Sequence, residues 1–366
     1  MNEDRAYWHA INIATNASPH IHKLYEFFDT GQTAWSANSS EMKRAGASEE
    51  IIARMRKARE ELDILKEYEK LRREDIAIIT RKDINSYPSL LAQITNPPPL
   101  LYCRGEIPKK DIRFPIAVVG SRKATKEGLK IAESLCFDLA RAGCTLISGL
   151  ALGIDAQAHK QAIANNTPTL AVLGSGISDS ALYPKYHVHL AHEIIEKNGC
   201  LISEFPPDTK AERGYFPRRN RIIAGLSLAC VVIQASYKSG ALITARYSLE
   251  ENREVMAIPG SVYVPQHQGT NALIKRGAHL VRNAKDVLDV LGISTLSSNQ
   301  KIFQSNTRSV DEQAILKALE QGIVYLDDIA EHAGLPAPSM ARAITTLEID
   351  GIIKNVGNCA YVRADL

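Results

Sequence analysis

The sequence predicts an α/β fold built on a doubly wound parallel sheet, with helices before the sheet and a winged helix after it. Short apolar runs of strand length alternate with longer amphipathic segments from about residue 113 onward. The first 70 residues have helical patterns without a strand-like run, and the last 56 change to a helix, a helix–turn–helix and a hairpin. The predicted domains are a helical domain (1–70), a sheet domain (71–291), a linker (292–309) and a winged helix (310–366).

The first segments of the chain are helical and then mixed. "IHKLYEFFDT" and "SEEIIARMRKAREELDILKEYEKLRRE" have the apolar spacing of amphipathic helices. Residues 75–112 follow with a short apolar strand, a Tyr-Pro turn, a triple proline and a second strand. We expect these two strands to add to the edge of the main sheet.

Seven apolar runs define the predicted parallel sheet. They are "FPIAVVG", "CTLISG", "PTLAVLG", "CLISEF", "ACVVIQA", "EVMAIPG" and "AHLV". Segments with helical period lie between them, for example residues 126–142 and 156–165. Strands that alternate with helices in this way form a parallel sheet that is covered on both faces.

Charge is divided unevenly along the chain. Residues 311–366 hold four Lys/Arg and nine Asp/Glu, a net charge of −5, whereas residues 1–310 carry +8. The basic part predicts an anionic partner. The acidic winged helix repels phosphates, and we therefore expect it to contact protein rather than duplex DNA.

Composition argues against several classes of protein. No stretch reaches 18 uncharged apolar residues and "MNEDRAYWHA" lacks the layout of a signal peptide, which predicts a cytoplasmic location without a membrane partner. The six cysteines are scattered and form no C-x-x-C motif, so we expect buried thiols rather than zinc or disulfides. The histidines of "YHVHLAH" face different sides of a helix, which argues against a metal site. No cofactor is expected.

Four small-residue loops follow predicted strands: "GSRKAT", "SGLALGID", "GSGISDS" and "SGALITA". Ligands of doubly wound sheets bind at this carboxyl edge, where helix N-termini and exposed N–H groups favour anions. The loops predict a row of backbone donors for several successive phosphates. Basic side chains from these loops and from the segment "RGYFPRRNR" predict a track beside them, with Phe216 as a ring on which an unpaired base can stack. The Tyr215 ring either stacks in the same way or only covers the site.

Other chemistry at the same edge has weaker support. The chain has no G-x-G-x-x-G at the first helix and no carboxylate after the second strand, which argues against a nicotinamide enzyme. Ser239 lacks the G-x-S-x-G turn of a nucleophile and is expected to bind phosphate instead. Asp155, four residues before His159, is expected to be the N-cap of a helix rather than half of an acid–base pair.

Seven motifs in order resemble the DNA-processing protein family, DprA (also called Smf). They are "VVGSRKAT", "LISGLALGIDAQAH", "GSGI…YP", "LISEFPP", "FPRRNRIIAGLS", "SGALITA" and "AIPGS…QGTNALIKRGA". The resemblance implies an N-terminal domain of sterile-alpha-motif type, an extended Rossmann domain and a small winged helix. It also implies single-stranded DNA binding, a homodimer through the Rossmann domain, and loading of the recombinase RecA onto DNA coated with single-strand-binding protein during natural transformation. It implies no catalysis.

The loops and the resemblance together give a predicted site for single-stranded DNA. By similarity, Arg122, Lys185, Arg213, Phe216, Arg219 and Asn220 contact the strand. The complete predicted set is Gly120, Ser121, Arg122, Gly149, Lys185, Arg213, Gly214, Phe216, Arg219, Asn220, Ser239 and Gly240. Arg218 and Arg221 are expected to pair with carboxylates such as Glu204 or Glu212.

An enzyme remains the alternative interpretation. Rossmann-type nucleotide N-glycosidases carry a Pro-Gly-Gly-x-Gly-Thr-x-x-Glu loop at the equivalent strand end. This chain reads "KSGALITARYSLEE", with one glycine in place of three and Glu250 about two turns further on. The catalytic loop is therefore missing.

Overall fold

The computed structural model describes residues 3–106, 112–293, 309–321, 323–349, 352–357 and 360–363. The chain divides into two compact units, residues 1–294 and residues 295–366. Nearly all of the predicted linker (292–309) lies outside the described residues. No helix among the described residues is long and apolar enough to cross a membrane.

Six helices precede the sheet. They are α1 (Glu3–Thr15), α2 (His20–Phe27), α3 (Gly31–Ser36), α4 (Ser39–Arg44), α5 (Glu49–Glu61) and α6 (Ile64–Arg73). The long helical run of the sequence divides at Asp63, because its carboxylate accepts the Lys66 N–H and caps α6. Trp8 and Leu24 share one buried core with Ile78 and Tyr102 of the sheet. The helices therefore pack on the sheet.

Nine strands form one sheet in the order β1-β2-β6-β5-β4-β3-β7-β8-β9. Their bounds are β1 Ile76–Thr80, β2 Leu100–Gly105, β3 Pro115–Val119, β4 Thr145–Ser148, β5 Thr169–Val172, β6 Cys200–Ser203, β7 Ala229–Val232, β8 Glu254–Ala257 and β9 His279–Leu280. The seven predicted runs form β3 to β9, which pair in parallel. Strands β1 and β2 add antiparallel at one edge. Both predictions are confirmed.

Helices cover both faces of the sheet. They are α7 (Ser89–Ala92), α8 (Lys126–Arg141), α9 (Ile154–Ala164), α10 (Val188–Glu196), α11 (Tyr215–Gly225), α12 (Ala241–Glu250), α13 (Gln268–Lys275) and α14 (Ala284–Val290). Side chains of β3 alternate between two cores, with Ile116 and Val118 in one and Ala117 and Val119 in the other. The five described cysteines are buried and free, and Cys359 lies outside the described residues.

The second unit has the predicted order of a winged helix. Helices α15 (Val310–Glu320), α16 (Leu326–Ala333) and α17 (Ala337–Ile349) precede the antiparallel strands β10 (Ile353–Gly357) and β11 (Ala360–Arg363). A single β-bridge joins Tyr325, just before α16, to Ala360 of β11. The expected turn between β10 and β11 lies outside the described residues.

Candidate nucleic-acid interface

A cleft opens where the winding of the sheet reverses. Strand β3 has β4 on one side and β7 on the other, and this switch point is where doubly wound sheets bind ligands. A cavity of about 710 Å³ lies there. Its walls come from the loops that follow β3 to β8, and from helices α11 and α12.

Most of the predicted site residues line this cleft. The nine that do are Gly120, Ser121, Arg122, Arg213, Phe216, Arg219, Asn220, Ser239 and Gly240. Gly149 lines a small neighbouring cavity that shares Arg122 and Phe216 with the cleft. Gly214 directly precedes α11 and lines neither cavity. Lys185 is also outside, because its ammonium donates to the carbonyl oxygens of Asp179 and Ser180 at 3.2 and 2.7 Å.

Three exposed cations line the cleft without a carboxylate partner among the described residues. In the part of the chain that the structure describes, Arg122, Lys123 and Arg213 form no salt bridge. Arg213 is exposed, and Asp155 is the single acidic residue among the described lining residues. Unpaired cations around a concave surface create a positive potential that attracts an anionic ligand.

Phe216 is held between the loops with part of its ring exposed. The Arg122 guanidinium lies over the ring, with Cζ 5.0 Å from the centroid, and the half-exposed Tyr183 ring lies 5.6 Å from it. A Cβ atom at Gly174 would lie 2.7 Å from Phe216 Cδ1, so this glycine leaves room for the ring. The Arg122 cation and the Phe216 ring therefore lie next to each other in the cleft. Tyr183 is absent from the predicted set of site residues, although it is the tyrosine of the motif "GSGI…YP".

Arg219 differs from the other cleft arginines because its guanidinium is buried. Nη1 donates to the carbonyl oxygens of Gly149, at 2.9 Å, and of Val172, while Nε donates to Asn220 Oδ1 at 3.2 Å. Burial lowers the pKa of Arg219 to about 10, so the group stays charged at neutral pH. A Cβ atom at Gly149 would lie 2.4 Å from Arg219 Nη2, which explains the glycine. Arg219 thus joins the ends of β4 and β5.

The structure corrects the role predicted for Asp155. Helix α9 has Gly153 as its N-cap, without a side-chain hydrogen bond. The buried Asp155 carboxylate instead accepts the N–H groups of Gly149 and Ala151, at 3.2 and 3.4 Å. Burial raises the pKa of Asp155, and the Arg219 guanidinium opposes this rise. Asp155 therefore fixes the loop after β4. Among the described residues, His159 forms no hydrogen bond with Asp155 and instead shares a 2.8 Å hydrogen bond with Thr169 Oγ1.

The predicted row of free backbone donors is wrong at four loop positions. The N–H groups of Ser121, Gly149, Gly176 and Ser239 each donate within the protein. The Ser121 N–H, for example, donates to the Gln234 carbonyl oxygen at 2.8 Å. Hydrogen bonds within and between the loops use these amides because buried backbone donors require acceptors. These four amides are therefore not free to donate to a ligand in the cleft.

Two hydroxyl groups of the cleft remain available as donors. Ser121 Oγ accepts the Lys123 N–H at 3.1 Å, and Ser239 Oγ accepts the Ala241 N–H at 3.3 Å. Neither hydroxyl hydrogen has an acceptor among the described residues. A hydroxyl can donate while it accepts. Both serines can therefore donate a hydrogen bond to a phosphate oxygen.

The remaining arginines of α11 hold the helix in place. Arg218 and Arg221 both bind Glu204 Oε2, at 3.0 and 2.5 Å, which confirms the predicted pairing with Glu204. The Tyr215 ring stacks on Phe205 with centroids 4.3 Å apart, and its hydroxyl accepts a 2.9 Å hydrogen bond from Asn16. Tyr215 thus faces the N-terminal helices and does not line the cleft.

The described residues contain no group of three potential metal ligands. The three histidines of "YHVHLAH" have separate partners. His187 lies 2.8 Å from the Leu150 carbonyl oxygen, His189 lies 3.1 Å from Glu193, and His192 lies 3.2 Å from Asp179.

Comparison with known proteins identifies relatives of the chain. A family model described as DNA recombination-mediator protein A matches residues 77–292, and a model of the DprA winged helix domain matches residues 304–357. Protein Smf of Escherichia coli K12 is 38% identical over 290 residues, which cover 77% of this chain and 76% of that protein.

Two solved structures are also similar. DNA processing protein A (DprA) from Streptococcus pneumoniae has a TM-score of 0.64 and 30% identity, and the match covers 76% of this chain and 97% of that one. The Helicobacter pylori protein, whose structure was described for its single-stranded DNA binding mode, has a TM-score of 0.52 and 26% identity. That match covers 59% of this chain and 95% of the other.

Proposed function

This chain belongs to the DprA (Smf) family of DNA recombination mediators, and we propose that its cleft binds single-stranded DNA. Arg122, Lys123 and Arg213 contact phosphates, while Phe216 stacks on an unpaired base. Ser121 and Ser239 donate to the strand from the loops after β3 and β7. Arg219 and Asn220 hold the walls of the cleft in position through hydrogen bonds to the Gly149 and Gly240 carbonyl oxygens.

The arrangement of Arg122 over Phe216 supports this proposal most directly. A cation with no carboxylate partner lies 5.0 Å from the centroid of a partly exposed ring, inside a cleft at the switch point of the sheet. Phosphates attract the cation and a base stacks on the ring, so one nucleotide can use both. Bases in a duplex are already paired and stacked, and they cannot reach Phe216. We therefore expect much weaker binding of duplex DNA.

The salt dependence of binding tests the proposal. Each phosphate contact contributes about −0.7 to the slope of log affinity against log salt concentration for single strands, so three free cations give a slope of about −2. Arg213→Ala should lower the affinity and flatten the slope by about 0.7. Phe216→Ala should lower the affinity by about fivefold or more at nearly constant slope, since base stacking contributes about 1–3 kcal/mol. Fluorescence anisotropy of a labelled oligothymidylate measures both.

A matched control comes from an arginine outside the cleft. Arg246 is exposed on α12 and pairs with Glu250 at 3.3 Å. Arg246→Ala should leave both affinity and slope unchanged. A slope near zero for the wild-type protein, or equal slope changes for Arg213→Ala and Phe216→Ala, would contradict the assigned roles.

The proposed role in the cell is that of a mediator without a catalytic step. The protein binds incoming single-stranded DNA in the cytoplasm and helps to load RecA on DNA coated with single-strand-binding protein during natural transformation. Its contact with single-strand-binding protein is indirect, through the coated DNA. A strand-exchange assay with RecA on precoated DNA tests this role. The expected result is faster strand exchange when the protein is present. If exchange is not stimulated, the protein binds DNA but does not act as a mediator for RecA.

The proposed homodimer forms through the open edge of the Rossmann sheet. Strand β9 has two residues, both exposed, and Leu280 leaves 49% of its surface in solvent. An open edge with unpaired backbone groups and an apolar side chain favours pairing with a second copy. Leu280→Lys should give a monomer in analytical ultracentrifugation. An unchanged dimer would place the interface elsewhere.

A further inference from the structure

Two exposed tyrosines lie beside the wall of the cleft that the loops after β7 and β8 form. Tyr237 leaves 66% of its surface in solvent and Tyr263 leaves 91%. Tyr237 follows Ser236, and Tyr263 comes two residues before Pro265, and both Ser236 and Pro265 line the cleft. Neither tyrosine hydroxyl has a hydrogen-bond partner among the described residues. Large rings without partners at the rim of a binding cleft mark a surface that a ligand can cover.

The loops that carry these rings are braced against each other. The Ala235 N–H donates to the Gln266 carbonyl oxygen at 2.7 Å, and the Gly269 N–H donates to the Ala235 carbonyl oxygen at 2.7 Å. Asn271 binds Gly260 through both its amide nitrogen and oxygen, at 2.9 and 3.2 Å. The two rings are therefore presented from an ordered wall, and little backbone ordering is needed when a ligand binds.

The positive charge around this wall indicates what kind of ligand the surface can bind. The three loops around the wall (120–125, 236–240 and 260–266) contain three cations and no Asp or Glu. The cations are Arg122, Lys123 and Lys238. Exposed rings among unopposed cations fit a polyanion with flat apolar groups, which is the chemistry of single-stranded nucleic acid. A two-fold contact between copies through this surface would instead bring like charges together.

We propose that Tyr237 and Tyr263 form a second stacking site for the DNA strand, beyond Phe216, with Lys238 contacting a phosphate beside it. The proposal rests on the proposed function of the cleft and extends it. A strand that enters at Phe216 leaves the cleft over the wall formed by Ser236 and Pro265. Its next bases then stack on the tyrosine rings. The bound strand is therefore longer than the cleft itself.

Oligonucleotide length separates this proposal from the function of the cleft. A short and a long oligothymidylate, of about 5 and about 15 nucleotides, bracket the usual site sizes of folds that bind single strands. The double variant Tyr237→Ala/Tyr263→Ala should bind the long strand at least about 25-fold more weakly and the short strand unchanged, since stacking on each of the two rings contributes at least about fivefold. The tyrosine-to-phenylalanine double variant should keep wild-type affinity for both, because it retains the rings.

Tyr325→Ala provides a control, because Tyr325 is also an exposed ring but belongs to the second unit. It should bind both strands as the wild type does. Equal losses on both strands, no loss on either, or conversion of the tyrosine variant to a monomer in ultracentrifugation would each overturn the second stacking site. Wild-type protein that binds neither strand would instead reject the function of the cleft itself, and the second site with it.

Discussion

Arg219 shows how an arginine in a binding motif can serve the fold. Its side chain is 4% exposed and donates to two strand-end carbonyl oxygens and to Asn220. Arg219→Ala leaves those carbonyl oxygens without donors, and hydrogen bonds to charged groups contribute about 1.5–3 kcal/mol each. We expect the free energy of unfolding to fall by about 3 kcal/mol or more, measured by urea denaturation.

The matched variant is Arg213→Ala, because Arg213 is exposed and has no salt-bridge partner among the described residues. Its free energy of unfolding should change by less than about 0.5 kcal/mol. Equal destabilisation by both substitutions would show that Arg219 does not have the structural role described above.

The sequence predicted the residue types of the cleft better than their individual roles. Four arginines lie within "RGYFPRRNR"; the segment predicts that Arg218 and Arg221 pair with a carboxylate, but it does not predict that the Arg219 guanidinium is buried. Arg218 and Arg221 both meet Glu204 because they are three residues apart and share one face of α11. Arg219 points toward the strand ends instead. The role of each arginine depends on the rotation of α11, which long-range contacts determine.

Helix α11 is the element that connects the cleft to the rest of the molecule. Glu204 is buried and binds Arg218 and Arg221 from the end of β6. Glu204→Gln removes the negative charge from between two largely buried guanidinium groups. Breaking such a buried pair costs about 3–5 kcal/mol, and we expect a loss of roughly 3 kcal/mol in the free energy of unfolding. Calorimetry at neutral pH measures it.

An exposed ion pair supplies the comparison for Glu204. Glu250 pairs with Arg246 on the surface of α12, with side chains that are 52% and 65% exposed. Glu250→Gln should change the free energy of unfolding by less than about 0.5 kcal/mol. If Glu204→Gln were equally mild, α11 would not depend on this pair.

Elements differ in how well the sequence predicts them. Strands β3 to β9 follow from local apolar runs, because a sheet covered on both faces needs continuous apolar strands. The loops after them follow less well. The Ser121 N–H binds the Gln234 carbonyl oxygen, 113 residues away along the chain, and such a contact leaves no mark in the local sequence. The free donors expected in these loops were therefore misjudged.

At the scale of the whole molecule, buried histidines make stability depend on pH. His9 of α1 lies 2.8 Å from the Tyr102 hydroxyl of β2, and His159 of α9 lies 2.8 Å from Thr169 Oγ1 of β5. Burial lowers the pKa of His9 to about 4 and that of His159 to about 3, from an ordinary value of 6.5. Below pH 6.5 the unfolded chain binds more protons than the folded one, so stability falls as the pH falls toward those values.

Each histidine contributes up to about 1.4 kcal/mol per pH unit in that range. Urea unfolding at several values between pH 7 and pH 4 should therefore show a steep loss of stability. His159→Gln should make the loss less steep, whereas His189→Gln should not, because the His189 side chain is 86% exposed. An identical slope in the wild type and in His159→Gln would contradict the burial of a neutral imidazole.

The division of charge between the two units gives the last prediction. Removing residues 295–366 takes away six Lys/Arg and nine Asp/Glu, so the net charge rises from +3 to +6. All residues that line the cleft belong to the first unit, and the truncated chain should therefore bind single-stranded DNA within about twofold of the full chain at about 0.15 M salt.

At low salt the truncated chain should associate faster, because the repulsion between the acidic unit and the phosphates is gone. Stopped-flow fluorescence measures the association rate, and anisotropy measures the affinity. If stimulation of RecA strand exchange is lost while DNA affinity remains, the winged helix contacts a protein partner, as its charge predicts. A large loss of affinity would instead place DNA contacts in the second unit, against the repulsion expected from its acidic residues.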